Sequence, residues 1–169
     1  MTYIGALILI ISALFVGVSR AKEEKHKVKT LRELCSALDI FKNEICANKT
    51  PIGKVAAMES LKAFSNLRPF FTELEYQFES LGEKRFTDIW SESVLKTLKQ
   101  IPEKSKNELI ALGNSLGRYD SDLQRAVIER CIQVLKSECE ELERGLSDNE
   151  KMYIGLYGGA GLILALALI

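Results

Sequence analysis

Asp120 and Asp122 stand two residues apart, and their spacing could hold a divalent cation. A Mg²⁺ site of this kind needs one or two carboxylates, with water or substrate oxygens completing an octahedron. At the start of a helix the same two residues do a plainer job. They cap free backbone N–H groups and complement the helix dipole. A long amphipathic stretch follows directly, so capping is the stronger reading. Arg118 and Tyr119 share the turn. Arg118, Asp120 and Asp122 are therefore the candidate polar surface for a partner protein.

Other chemistry is sparse. The four cysteines, Cys35, Cys46, Cys131 and Cys139, have no C-x-x-C spacing, and His26 is the sole histidine. A zinc site from such distant ligands is unsupported, and buried reduced thiols are expected. The chain has no phosphate-cradling G-x-x-x-x-G-K-[ST] and no H-E-x-x-H. No cofactor or metal is implied. The 23 basic and 23 acidic residues cancel, so no basic stripe invites nucleic acid. Trp90, the one tryptophan, suits a core position or an interface anchor.

The elements that must position these residues read as helices. Leu31, Leu34, Leu38, Phe41 and Ile45 recur at spacings of three and four within a helix over 22–47, with Val28 and Cys35 widening the face. Thr50-Pro51 looks like an N-cap and first turn, and Ile52, Val55, Ala56 and Leu61 follow as the buried side. Pro69 restarts the chain before Phe70, Phe71, Leu74, Phe78 and Leu81, with Gly82 as the expected C-cap. A helix over 88–99 turns Ile89, Trp90, Val94 and Leu98 inward, and Ile101-Pro102 ends it. Leu109, Leu112 and Leu116 mark the next helix, closed by Gly117. Ser121 and Gln124 have capping-box spacing, and Leu123, Val127, Cys131, Val134, Leu135 and Leu142 form the expected inner face of the sixth helix. Past Gly145, either a second capping box at Ser147 and Glu150 opens a new helix, or the same helix continues. The fold class is all-α: a bundle of about six helices.

Both ends of the chain are apolar. No charge falls within 3–19 or 152–169, and every Lys, Arg, Asp and Glu lies from Arg20 to Lys151. At about 1.5 Å per residue each run reaches roughly 26 Å, enough for a short transmembrane helix. A cleaved signal peptide would want a basic n-region, and only Met1 and Thr2 precede Tyr3. The expected domains are a transmembrane helix at 3–19, a cytoplasmic bundle at 20–151 and a transmembrane helix at 152–169. Arg20, Lys22, Lys25, Lys27 and Lys29 flank the first run on its inner side, and Lys136, Arg144 and Lys151 approach the second. The positive-inside rule then puts both termini on the outer face. Ala13 with Gly17, and Gly155 with Gly159, have the small-x-x-x-small spacing that lets membrane helices pack. This spacing and the short seam also permit a homo-oligomer.

Three stretches carry a family resemblance. LRELCSALDIFKNEICANKTPI, from Leu31 to Ile52, includes Glu44-Ile45 and Thr50-Pro51. Trp90 is followed by Glu92 and Leu95. LGNSLGRYDSDLQ, from Leu112 to Gln124, includes Gly117, Asp120 and Gln124. In order and spacing these resemble the stage III sporulation protein AB family of endospore-forming bacteria, and the apolar ends agree. The resemblance implies a likeness to the cytoplasmic helical domain of type II secretion F and type IV pilus platform proteins. It implies a non-enzymatic part in the channel between mother cell and forespore, in the cell membrane on the mother-cell side. The implied partners are a secretion-type ATPase, stage III sporulation protein AA, other stage III sporulation channel proteins, and membrane lipid. No family position is implied to be catalytic. Outside the resemblance, a membrane-tethered signalling or adaptor bundle is the alternative.

Overall fold

The computed structural model describes the backbone of residues 2–79, 82, 84–117 and 120–168. It describes the side chains of 18–79, 82, 84–117 and 120–146, with a few positions further out. Among these residues the chain is all-α, with seven helices: α1 Thr2–Cys46, α2 Ile52–Ala56, α3 Glu59–Lys62, α4 Arg68–Phe78, α5 Phe86–Thr97, α6 Glu103–Ser115 and α7 Ser121–Leu168. The N-terminal apolar run and the first bundle helix, expected as separate, are joined, and of the two alternatives past Gly145 the continuous helix is found. α1 takes in 3–19 together with the seam, and α7 runs through Gly145 and Ser147 without a break. Ser147 and Glu150 thus open no new helix.

The chain forms two compact units, Met1–Val28 with Glu140–Ile169, and Lys29–Cys139. In the first, the backbone of the two apolar runs is helical. Most side chains there lie outside the described residues. Among the described residues no helix is long and apolar enough to cross a membrane.

The second unit holds the core, and its boundaries fall inside the polar segment 20–151. Leu31, Leu34, Leu38 and Phe41 of α1 are buried as the seam requires, while Ile45 is half-buried and Cys46 takes the last inward position. A fully buried side chain of this size contributes about 1.5–3 kcal/mol. The inner part of α1 lies antiparallel to the start of α7. Ser121 Oγ donates to the Cys46 carbonyl at 2.9 Å, Lys42 Nζ lies 3.4 Å from Glu129, and Cys35 Sγ sits 4.0 Å from the Ile132 carbonyl.

Between these two helices the chain folds through α2 to α6. The expected single helix after Thr50 is two short ones, broken at Ala57-Met58, where Met58 adopts extended backbone. Thr50 does not cap it. Its hydroxyl donates to Glu44 Oε2 at 3.0 Å, and Pro51 stands at the N-cap without a side-chain bond. Glu33 of α1 holds the entry to α4, accepting the Asn66 N–H at 2.8 Å and the Ser65 hydroxyl at 3.3 Å. α4 ends at Phe78 with Glu79 as C-cap, so Gly82 is not the cap; its φ of +120° serves the turn beyond. Leu81 lies outside the described residues.

Trp90 anchors the centre. It is 1% exposed, and its indole N–H donates to the Leu109 carbonyl at 2.7 Å. Phe41, Phe70 and Phe86 surround it at centroid distances of 5.8, 5.4 and 5.8 Å. Gly113 makes this fit possible. A Cβ there would overlap Trp90 Cδ1 and lie 2.5 Å from Cγ. Trp90 is therefore a core residue and no surface anchor.

Candidate functional site

The candidate surface lies where α6 gives way to α7. Leu116 leaves α6 in extended backbone, and Gly117 turns at φ +76°, a left-handed conformation costly for a side chain. Arg118 and Tyr119 lie outside the described residues. Asp120 then caps α7. Its Oδ1 accepts the Leu123 N–H at 2.9 Å, and its backbone carbonyl accepts the Gln124 N–H at 2.9 Å. The N-cap is thus Asp120, one residue before the expected Ser121, and with Leu123 three residues on the expected capping box does not form. Ser121 instead spends its hydroxyl on the end of α1. Asp122 sits in the first turn, where a negative charge complements the helix dipole.

Asp120 and Asp122 are both exposed, so their outward oxygens face solvent. Among the described residues no group of three or more His, Cys, Asp or Glu side chains could hold a metal ion. Among the described residues the corner offers hydrogen-bond acceptors and negative charge.

Sequence reasoning missed the apolar part of this corner. Leu123 and Val127 were expected inside, yet Leu123 is 48% exposed and Val127 half-buried. The true inner face of α7 is Gln124, Ile128, Cys131, Leu135 and Glu138, at spacings of four and three. Leu123 and Val127 instead line a cleft of about 300 Å³ with Leu112, Ala111 and Cys131. An ion pair, Arg130 to Glu108 at 3.8 Å, stands at the same cleft. A second polar pair clamps the start of α6 to α7. Lys104 Nζ lies 2.9 Å from Glu138 Oε1, and the Ser105 hydroxyl donates to Oε2 at 3.3 Å.

All four cysteines are buried thiols outside any disulfide. Burial pushes the Cys35 thiol up to about 11 and the Cys131 thiol up to about 12. Such thiols stay protonated and make poor nucleophiles or metal ligands near neutral pH. Of the small-residue pairs named for helix packing, Ala13 and Gly17 have side-chain positions outside the described residues. A Cβ at Gly155 or Gly159 would have nothing within 4 Å.

Stage III sporulation protein AB of Bacillus subtilis (strain 168) is 24% identical over 168 residues, covering 98% of each chain. A solved structure titled stage III sporulation protein AB superposes with a TM-score of 0.64 at 18% identity, covering 72% of this chain and 97% of that one. That likeness establishes the helical fold. The family model described as stage III sporulation protein AB matches residues 2–169, and with that match across the chain the protein belongs to the stage III sporulation protein AB family.

Proposed function

We propose that this chain is a non-enzymatic membrane platform of the mother cell–forespore channel, coupling a secretion-type ATPase to the membrane complex. Its family gives it a role in sporulation. The finer reading is supported most by one observation. α1 and α7 each carry an apolar terminal run and part of the polar bundle in one uninterrupted helix. A displacement of the bundle would act on hydrogen-bonded backbone, with no loose linker to absorb it. In this reading 3–19 and 152–169 span the cell membrane and both termini face outward, as the basic flanks favour. Gly155 and Gly159 present open backbone to lipid or to another channel protein.

The ATPase, stage III sporulation protein AA, would meet the corner at Arg118, Asp120 and Asp122. Capping and contact are separable there. Asp120→Asn keeps an oxygen for the Leu123 N–H and removes the charge. The full-length chain in detergent should retain its melting point with this change and lose most of its capture of the purified ATPase. Equal capture by the wild type and the variant would sink the assignment of this corner. No capture by either would sink the coupling itself. Protease added outside intact cells should cleave tags at both termini, and protection of both would overturn the topology.

A further inference from the structure

Two large apolar side chains of the inner unit stand in solvent on neighbouring helices. Tyr76 of α4 is 69% exposed and Leu95 of α5 is 55% exposed, and both line one groove. Clustered exposure of this kind marks interaction surfaces more than scattered single residues do. Two ion pairs line the same groove. Lys96 Nζ reaches across from α5 to Glu73 Oε2 on α4 at 2.8 Å, and Lys84 Nζ lies 2.7 Å from Glu92 Oε2.

The signs of these four charges select the occupant. Two acids and two bases leave the groove with no net charge, so a nucleic acid, an anionic lipid or a strongly charged peptide gains no attraction there. The pattern is complementary to itself. A two-fold axis laid along the groove sets α4 of one copy over α5 of another. Glu73 then meets Lys96 of the second copy, Lys96 meets Glu73 of the second copy, and Tyr76 faces Leu95 of the second copy. An acid–base pair that bridges a groove always faces its opposite about such an axis, as an isologous contact requires. No charge loses its partner when the copies meet. The apolar pair at the middle with charged residues around it also has the layout of a protein interface.

We infer that the α4–α5 face docks on the same face of a second copy of this chain, with Tyr76 and Leu95 at its centre. The test uses full-length chains in detergent, half carrying Tyr76→Cys and half Leu95→Cys under different tags, treated with a short bis-maleimide. The native cysteines are buried and compete little. A cross-linked product joining the two tags is expected.

Charge variants then decide between docking and chance encounter. Lys96→Glu makes one copy's bridging pair all acidic, and Glu73→Lys makes another's all basic. Each alone should lose cross-linking, and an equal mixture should restore it, by about tenfold over either alone given two ion pairs changing from repulsion to attraction. Lys96 is exposed and Glu73 is largely covered and also accepts from Gln77 Nε2, so both variants are compared at unchanged circular dichroism and melting point. Cross-linking indifferent to Lys96→Glu overturns the inference. So does a mixture no better than its parts, a strictly monomeric wild type by light scattering, or cross-linking of Tyr76→Cys to other proteins alone.

Discussion

Replacing Gly113 by alanine adds one methyl group where the structure has no room for it. The new Cβ would lie 2.5 Å from Trp90 Cγ and 2.8 Å from Nε1. Ordinary carbon contacts sit at about 3.5–4.0 Å, and Cδ1 overlaps the new atom outright, so the indole must retreat by more than ~1 Å. It has nowhere to go, being 1% exposed and held among Phe41, Phe70 and Phe86. Retreat also stretches the bond from its N–H to the Leu109 carbonyl, now 2.7 Å. Overpacking costs about 1–3 kcal/mol. A buried donor left without its acceptor costs about 1–3 kcal/mol more. Alanine returns about 1 kcal/mol through its higher helix propensity. The net loss is roughly 1–5 kcal/mol, or a melting point lower by about 2–20 °C for a chain of this size. Trp90 is the only tryptophan, so its fluorescence reports the site directly. The emission should shift, and urea unfolding of the full-length chain should begin earlier. Pairing Gly113→Ala with Trp90→Phe should cost less than the sum of the two, since the smaller ring relieves the overlap. A Gly113→Ala protein as stable as the parent, or strict additivity in the pair, would refute the packing argument.

Two other perturbations follow from the same structure. Glu33→Ala removes the acceptor of the Asn66 N–H and should cost about 1–3 kcal/mol, with faster hydrogen exchange at the Asn66 amide as the local signature; unchanged exchange would count against this clamp. The pH dependence is set on the alkaline side by the thiols of Cys35 and Cys131, raised in the folded state from 9.0 to about 11 and about 12. Their contribution is fully present below pH 9 and is lost as pH rises through the folded values, on the order of 1.4 kcal/mol for each unit of separation. Lys27 and Lys42 are raised by their carboxylate hydrogen bonds and act in the same direction above their ordinary value of 10.5. Urea midpoints measured from pH 8 upward should fall beyond pH 9, and a Cys131→Ala variant should flatten that fall.

Helices whose inner faces are mostly apolar were legible from spacing alone. The α1 seam from Leu31 to Phe41, the α5 face of Ile89, Trp90, Val94 and Leu98, and the α6 face of Leu109 and Leu112 are buried. The break at Pro102 followed from its missing N–H and fixed φ. Local caps were harder, because a hydroxyl or carboxylate has several partners within reach. Thr50 turned back to Glu44 because the chain reverses after Cys46, where Lys49 takes a φ of 55°. Gly113 shows a different gap. A glycine inside a helical pattern signals a close approach, yet its partner, Trp90, lies 23 positions earlier and no local pattern names it.

α7 explains why the candidate surface was only half visible. Its buried seam runs from Gln124 through Ile128, Cys131 and Leu135 to Glu138, so a polar residue stands at each end. A search for apolar periodicity passes over both and settles on Leu123 and Val127, displaced by one residue. The error is physical, because burying Glu138 is tolerable only with Lys104 and Ser105 beside it, and α6 supplies both from 33 and 34 positions earlier. Once α6 fixes that end of the seam, helical geometry fixes the other. Asp120 then falls at the cap, Ser121 reaches the end of α1, and Leu123 and Val127 are left facing the cleft. The apolar rim beside Asp120 and Asp122 is thus a consequence of a tertiary ion pair about three to four turns away along the helix.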